Sequence, residues 1–318
     1  MRLLTPVLGA SPITGLTATQ LFQFTNKSQF VENIAVRPNG HLLLDTFDNG
    51  RLYTLDPSAK EIVPQVIARI PGTTALTGIV DVAHDLYAVS AGILNFTDFS
   101  FEPGTSKIAL VDVRDCHHAK LASVNVTAQI PEAGILNGIA GLPKHRHIVL
   151  SADSKTGRVY RVNTLNGKVD IAFQDDRFTP GPHPKLVPLG INGIKVFEGY
   201  LYLTNSEQRF VARIKINDFG EKAGDLEIIT TLPLNPPKTP DDFSIARDGT
   251  IYLGAHSDTL VKITPDGKWV SLVEGSNAGV YLNGPTSTAL SKDEKTVYVT
   301  TGGGGQSGQG GQIFAVKL

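Results

Sequence analysis

The stretch Glu32–Gly40, with the sequence ENIAVRPNG, is the first copy of a pattern that returns along the whole chain. A polar pair comes first, then an apolar strand, then a turn that contains glycine. A second, more strongly apolar strand follows, and here it is His41–Leu44. Later copies of the polar mark also precede apolar strands, and they are Thr77-Gly78, Asn137-Gly138, Asn192-Gly193, Asp241-Asp242 and Asn283-Gly284.

The spacing of these marks predicts the fold. Taken at the second residue of each pair, they lie at positions 33, 78, 138, 193, 242 and 284, so the steps are 45, 60, 55, 49 and 42 residues. Repeats of this length that contain only strands are typical of a β-propeller. The sequence therefore predicts an all-β, six-bladed β-propeller with four-stranded blades.

The two ends of the chain are expected to close the ring. Leu21–Phe24 is predicted to be a strand, and the last repeat ends with Gly311–Val316. Because closure removes an exposed sheet edge, we expect Leu21–Phe24 to pair with the last blade as its outer strand. No helical periodicity or compositional boundary divides the chain. We therefore expect one domain over residues 1–318, with an irregular N-terminal segment at residues 1–19.

Composition limits the functional classes. The net charge of −1 gives no basic excess for a nucleic-acid partner. No apolar run approaches the roughly 20 residues of a membrane helix, so no membrane span is expected. The single cysteine, Cys116, excludes an internal disulfide and a cysteine-based zinc site. The expected partners are small-molecule substrates, and the sequence does not specify an oligomeric state.

The N-terminal sequence leaves the location open. Residues 2–10 contain a short apolar run that Thr5 and Pro6 interrupt, which argues against a signal peptide. Three glycosylation sequons, at Asn26, Asn95 and Asn125, favour secretion. On balance the sequence slightly favours a cytoplasmic location over a secreted one.

An insertion at residues 95–101 carries Phe96, Phe99 and Phe101 in the second repeat. Exposed loops with three phenylalanines are unusual unless they line or cover a pocket. The alternative is that these rings pack against a neighbouring blade.

The polar marks are the main candidates for a functional site. The innermost strand of each propeller blade lines the central channel, so residues just before these strands should converge at one mouth. The converging side chains would be Glu32, Asn33, Asn137, Asn192, Asp241, Asp242 and Asn283. Oxygen ligands of this kind suit a hard cation such as calcium. The alternative is that Asn-Gly and Asp-Asp only form turns at the start of each blade.

Several phrases resemble the senescence marker protein/gluconolactonase/luciferin-regenerating-like family, which is related to the paraoxonases, and in particular a fungal branch of it. The resemblance covers about residues 20–318, and its phrases are ENIAVRPNG from Glu32, PEAGILNG from Pro131, GINGIKV from Gly190, DDF from Asp241 and GPTS from Gly284. The resemblance implies one calcium ion at the top of a six-bladed propeller and a small-molecule pocket above it. It also implies that Glu32, Asn137, Asn192 and Asp241 are the metal ligands.

Two positions depart from the family pattern. Thr77 stands where paraoxonases have a catalytic histidine, and Ile135 stands where gluconolactonases have an arginine that holds a polyol. The mouth near Ile135 and Leu136 is apolar instead, and Tyr281 and Phe243 lie near equivalent positions. A pocket of this kind favours an apolar or aromatic substrate.

Three functions fit these residues. A calcium-dependent lactonase would use Asp241 or Asp242 to activate water. A cyclisation enzyme of fungal natural-product biosynthesis would hold two apolar reactants in register, as the resemblance to hetero-Diels–Alder enzymes in this branch implies. A binding module would need no catalysis. We favour cyclisation narrowly, because the hydrolytic histidine and the sugar-binding arginine are missing.

The cyclisation hypothesis names its residues but not its substrate. The catalytic candidates are Asp241, Asp242, Asn192 and Tyr281. The pocket candidates are Thr77, Ile135, Leu136, Phe243 and His256, although the sequence favours a surface position for His256. No organic cofactor is expected.

Overall fold

The computed structural model describes residues 16–116, 121–183, 186–304 and 308–318. An irregular segment is predicted at residues 1–19. Residues 1–15 lie outside the described residues, and the first strand begins at Ala18. Within the described ranges the only helical element is a 3₁₀ turn, Asp176–Phe178, and no helix there is long and apolar enough to cross a membrane.

The strands follow one another through the chain with short connections. The strand β1 is Ala18–Gln23. Blade 1 contains β2 (Val31–Val36), β3 (Leu42–Thr46), β4 (Arg51–Leu55) and β5 (Gln65–Arg69). Blade 2 and its inserted hairpin contain β6 (Ala75–Ala83), β7 (Leu86–Gly92), β8 (Leu94–Asn95), β9 (Ser100–Phe101), β10 (Lys107–Asp112) and β11 (Ser123–Gln129). Blade 3 contains β12 (Leu136–Leu142), β13 (His145–Asp153), β14 (Arg158–Asn163) and β15 (Val169–Gln174).

The second half of the chain repeats this plan. Blade 4 contains β16 (Ile191–Phe197), β17 (Tyr200–Asn205), β18 (Phe210–Ile216) and β19 (Lys222–Thr231). Blade 5 contains β20 (Thr239–Ile245), β21 (Ile251–His256), β22 (Thr259–Ile263) and β23 (Trp269–Glu274). Blade 6 begins with β24 (Pro285–Leu290), β25 (Thr296–Thr301) and β26 (Gln312–Lys317).

These strands form six four-stranded antiparallel sheets, which confirms the predicted six-bladed propeller. The inner strands β2, β6, β12, β16, β20 and β24 lie side by side in sequence order, and β24 returns to β2. The fourth strand of blade 6 is β1, which pairs with β26 from Ala18 opposite Val316 to Gln23 opposite Gln312. The closing strand therefore begins before the predicted Leu21, and Phe24 follows it.

The core lies between neighbouring blades. The strand β3 is buried along its whole length, because its side chains face blade 2 on one side and blade 6 on the other. This explains why its sequence is almost continuously apolar rather than alternating.

Three glycines of the polar marks allow the inner strands to approach closely. A Cβ atom on Gly78 would lie 2.4 Å from the carbonyl oxygen of Asn137, and one on Gly138 would lie 2.4 Å from that of Asn192. A Cβ atom on Gly193 would lie 2.5 Å from Oδ1 of Asp242. These glycines are inside strands and do not adopt left-handed backbone angles. The alternative interpretation as a turn therefore does not describe Asn137-Gly138 or Asn192-Gly193, whereas Gly284 lies before β24 with a left-handed φ of 66° and fits a turn.

Side-chain hydrogen bonds cross each blade junction. Their donor–acceptor distances are 2.5–3.2 Å. In each bond a side chain donates to a backbone carbonyl oxygen. The pairs, with the donor first, are Asn33 and Thr77, Thr77 and Leu136, Ser154 and Ile191, Thr204 and Asp241, Thr288 and Tyr252, and Thr286 and Val31. Five of these bonds join neighbouring blades near the polar marks, whereas the bond from Thr288 to Tyr252 lies towards the other end of the channel, near Ser244.

The close approach at Gly138 can be tested against a glycine of the same strand. Gly138→Ala should lower the free energy of unfolding by roughly 3 kcal/mol, because the new methyl group meets backbone atoms that cannot move away. Gly141→Ala is the matched control, since its Cβ would meet its nearest atom at an ordinary 3.5 Å. Urea denaturation of both variants measures the difference. Equal stability of the two variants would contradict the close-approach explanation.

Candidate functional site

A cavity of ≈ 300 Å³ opens at the end of the channel that carries the polar marks. Blades 1 to 5 and their connections line it. The lining residues are Phe30, Glu32, Phe47, Phe99, Ile135, Asn137, Leu186, Val187, Leu189, Asn192, Ser206, Pro237, Thr239, Asp241, His256 and Ser257. Six of the predicted site residues are therefore brought together: Glu32, Ile135, Asn137, Asn192, Asp241 and His256.

The polar side of the cavity comes from the inner strands themselves. Glu32, Asn137, Asn192 and Asp241, which we call the polar floor, lie within the first residues of β2, β12, β16 and β20, not before them as predicted. The pairing of each of these strands with its neighbour shifts register at the polar mark. Such bulges change the direction of side chains and are frequent next to functional sites.

Stacked phenylalanines form one side of the cavity. Phe30, Phe47 and Phe99, which we call the aromatic wall, come from blade 1 and from the hairpin β8–β9. The Phe30 and Phe47 rings are stacked with centroids 4.5 Å apart, and Phe96 contacts Phe47 and Phe99 edge-on at 6.3 and 6.1 Å.

The aromatic insertion serves both of the roles considered from the sequence. Phe99 lines the cavity, whereas Phe101 is buried against Gly92 and anchors the hairpin. Phe96 is 62% exposed and lies over the outer edge of the aromatic wall.

Aliphatic side chains continue the apolar lining next to these rings. Ile135 precedes β12, and Leu186, Val187 and Leu189 belong to the connection that leads into blade 4. We call these four residues the aliphatic wall. Phe47 and Phe99 pack against the same core cluster as Ile135 and Leu189, so the two walls adjoin.

The acidic groups of the polar floor are strongly perturbed. Burial raises the pKa of Glu32 well above its ordinary value, and the negative charges of Asp241, Asp242 and Asp45 raise it further. Burial also raises the pKa of Asp241, although the hydrogen bond with His256 opposes this effect. The distance between Nε2 of His256 and Oδ2 of Asp241 is 2.9 Å. Two carboxyl groups so deeply buried favour either bound protons or a bound cation.

The donor set of the polar floor fits a hard cation. The Asn192 amide nitrogen donates to Oγ of Ser206 at 2.8 Å, while its Oδ1 atom is buried without a hydrogen-bond partner. Such an oxygen is costly unless it finds a ligand. Within the described parts of the chain, no three His, Cys, Asp or Glu side chains form a metal-binding group. A cation would therefore depend on the amide oxygens as well as on Glu32 and Asp241.

Three predicted pocket residues lie outside the cavity lining. Thr77, Leu136 and Phe243 are each 0% exposed. The Thr77 hydroxyl donates to the Leu136 carbonyl across a blade junction, and Phe243 belongs to the core between blades 4 and 5. Ile135 and Asn137, the neighbours of Leu136 in sequence, do face the cavity, so alternation along the strand accounts for the position of Leu136. Thr77 and Phe243 lie at register shifts in the pairing of β6 with β7 and of β20 with β21.

Two predicted catalytic residues also lie away from the cavity lining. Asp242 receives hydrogen bonds from Asn33 at 2.7 Å and from Lys195 at 2.6 Å, and its side chain is 3% exposed. Lys195 lines depressions at the other end of the inner strands. Asp242 is thus paired inside the channel. Tyr281, the second of these residues, lies beside blade 6, where its backbone carbonyl accepts a hydrogen bond from Gln312.

Asp45 is a buried acid that the sequence analysis did not select. It lies on β3 opposite Asn33, and both of its carboxylate oxygens are buried without a hydrogen-bond partner. Burial raises the pKa of Asp45 well above its ordinary value. The signal in the sequence was an acidic residue directly after the apolar run Leu42–Leu44.

The raised pKa of Asp45 makes stability depend on pH. Between its unfolded and its higher folded pKa, the folded protein binds more protons, so stability should fall as pH rises through this window. Asp45→Asn removes the ionisable group and should raise the free energy of unfolding on the order of 1–3 kcal/mol at pH 8 but little at pH 5. Urea denaturation at both pH values in the presence of a chelator measures this effect. An equal change at both pH values would contradict it.

Comparison with known proteins agrees with this architecture. No family model matches the chain. A protein of a Phoma species, named as a candidate hetero-Diels-Alderase, is 25% identical over 301 residues, which are 88% of this chain and 85% of that protein. A second protein with the same designation, asR5 of Sarocladium schorii, is 24% identical over 302 residues, or 85% of this chain and 74% of that protein.

Solved structures of propellers are similar over nearly the whole chain. A luciferin-regenerating enzyme has a TM-score of 0.65 with 13% identity, covering 96% of each chain. The calcium-binding protein regucalcin from Agrobacterium tumefaciens has a TM-score of 0.63 with 15% identity, covering 98% of this chain and 97% of that one. These findings confirm the resemblance noted from the sequence phrases.

Proposed function

We propose that this protein is an enzyme of fungal natural-product biosynthesis that guides a hetero-Diels–Alder-type cyclisation of small molecules in the cavity. The observation that carries the proposal is the contrast between two adjoining apolar walls and a polar floor inside one enclosed space. The similarity to two proteins named as candidate hetero-Diels-Alderases supports it.

Cycloaddition needs two reactants in one relative orientation more than it needs acid–base chemistry. Holding reactants in register can contribute up to roughly 7–11 kcal/mol in ideal cases. The aromatic wall offers a flat surface for a planar, conjugated reactant such as a quinone methide. The aliphatic wall next to it suits a hydrocarbon alkene.

Polar side chains of blade 5, beside the polar floor, bind the oxygen atoms of the conjugated reactant. Thr239, His256 and Ser257 lie together in or beside blade 5, and their side chains can donate hydrogen bonds to a carbonyl group. Hydrogen bonds of this kind stabilise the charge that shifts onto the carbonyl oxygen during the reaction.

A calcium ion bound by Glu32, Asn137, Asn192 and Asp241 is part of the proposal. Carboxylate and amide oxygens are preferred calcium ligands, and the partnerless Oδ1 atom of Asn192 supports this assignment. A bound cation would neutralise the buried acids and attract an oxygen-bearing reactant. The same donor set also suits a metal-dependent lactonase, which is the alternative function.

Calcium binding can be measured without substrate. If the polar floor binds calcium, the ion should raise the melting temperature of the parent, equivalent to about 2.7 kcal/mol at 100 times its dissociation constant. Glu32→Gln should lose most of this response. Glu274→Gln is the matched control. Glu274 does not line the cavity, and its carboxylate forms an ion pair with Lys238 over 2.6 Å. An unchanged response in Glu32→Gln would refute the assigned ligands.

The reaction itself separates cyclisation from lactone hydrolysis. The protein is given a quinone-methide precursor with a terpene alkene, and separately a panel of simple lactones, each with and without chelator. We expect one stereoisomer of the adduct and no lactone opening. Phe47→Leu should shift the adduct towards the uncatalysed isomer mixture, because the flat stacking surface is lost.

Phe22→Leu is the control for the loss of an aromatic ring. Phe22 is also half-buried and contacts another phenylalanine, Phe24, at 5.1 Å, but it lies on β1 away from the cavity. It should keep the stereochemistry of the parent. Rapid, chelator-sensitive opening of lactones without control of the adduct would establish the lactonase instead.

A further inference from the structure

One ammonium group connects the loop that carries Phe99 of the aromatic wall with the loop that carries most of the aliphatic wall. Nζ of Lys155 donates to the carbonyl oxygen of Asp98 at 2.6 Å and to that of Pro188 at 3.0 Å. Asp98 directly precedes Phe99 of the aromatic wall. Pro188 lies between Val187 and Leu189 of the aliphatic wall.

The base of the Lys155 side chain is tightly built. A Cβ atom on Gly134 would lie 2.6 Å from Cβ of Lys155. The lysine side chain therefore packs directly against Gly134, where any other residue would clash with it. The Asp153 carboxylate accepts hydrogen bonds from the backbone N–H groups of Lys155 at 3.0 Å, Gly134 at 3.0 Å and Ile135 at 3.2 Å. The Phe101 N–H donates to the Gly134 carbonyl at 2.7 Å, which ties the hairpin β8–β9 to the same base.

The surroundings of the ammonium group act on its charge in opposite directions. Burial lowers the pKa of Lys155, whereas the negative charges of Asp98, Glu207 and Asp153 favour the charged form. Hydrogen bonds from a charged donor are stronger than those between neutral groups. The ammonium group therefore joins two loops between which the described hydrogen bonds include no direct one, although Phe99 and Leu189 share a core cluster.

We propose that Lys155 is a positioning residue that sets the distance between Phe99 of the aromatic wall and the loop at residues 186–189 of the aliphatic wall. It touches neither reactant, and it acts through the two carbonyl groups that it holds. This inference rests on the proposed cyclisation, in which each wall binds one reactant. A displacement of about 1 Å between reactants can cost roughly 100-fold in rate, so a small separation of the loops is sufficient to impair the reaction.

The physical part of the proposal is tested without substrate. Lys155→Met keeps most of the apolar stem but removes the charge and the donors. Hydrogen–deuterium exchange should become faster in residues 94–101 and in residues 186–190 together, since both loops lose the same partner. Lys155→Arg keeps a charged donor, so exchange in both loops should stay as slow as in the parent. Faster exchange in only one loop, or in neither, would overturn the proposal.

The chain offers a matched control. Nζ of Lys107 also bridges two backbone carbonyls, those of Pro71 at 3.3 Å and Gly72 at 3.1 Å, in a turn that does not line the cavity. Lys107→Met should leave exchange in both cavity loops unchanged. Lys155→Gln is the second neutral variant, and the same outcomes apply to it if Lys155→Met does not fold.

The functional part is read from the stereochemistry of the adduct. Lys155→Met should form adduct roughly 10- to 100-fold more slowly, with an isomer ratio shifted towards the uncatalysed one. Lys155→Arg should recover the isomer ratio, and Lys107→Met should match the parent. Parent-like rate and isomer ratio in Lys155→Met would overturn the positioning role. If the parent itself forms no adduct, the proposed function fails, while the exchange experiment still decides whether Lys155 joins the loops.

Discussion

The close approach of the inner strands is the constraint on which the rest of the structure depends. Gly78, Gly138 and Gly193 each face a backbone carbonyl or a carboxylate of the next blade at a distance that excludes a side chain. Because the strands are so near, hydroxyl groups such as those of Thr77 and Thr204 can bond across the junctions. Asn137 and Asn192, which directly precede two of these glycines, face the cavity at the end of the channel. Together with Glu32 and Asp241 they form the polar floor from distant parts of the chain.

This assembly buries carboxyl groups away from water, and neighbouring carboxyl groups have different partners that compensate for the burial. Asp242 is neutralised by Lys195 from the other end of the inner strands. Asp241, the residue directly before it, faces the cavity and has His256 as its partner. Burial raises the pKa of Glu32, and the negative charges of Asp241, Asp242 and Asp45 raise it further. One acid is thus part of the scaffold, while the others keep a charge or a proton for a ligand.

The sequence was sufficient to predict the number of blades, because each repeat carries the same polar mark at similar spacing. It was also sufficient for Glu32, Asn137, Asn192 and Asp241 to be brought to one cavity. It was not sufficient for Thr77, Leu136 and Phe243, because the pairing of their strands shifts register at the polar marks and changes which side chains face the cavity. Nothing in the local sequence fixes the exact position of these shifts.

The walls of the cavity were harder to predict for a different reason. Phe30 precedes β2 and Phe47 follows β3, and they reach the cavity because the ring brings them beside the insertion of blade 2. The aliphatic wall comes mainly from the connection into blade 4, which has no repeat partner elsewhere in the chain. The floor is therefore a product of the repeat, whereas the walls are products of its irregularities. Since loops change more freely than the strands that support them, one propeller can keep its floor and acquire a new substrate by changing the walls.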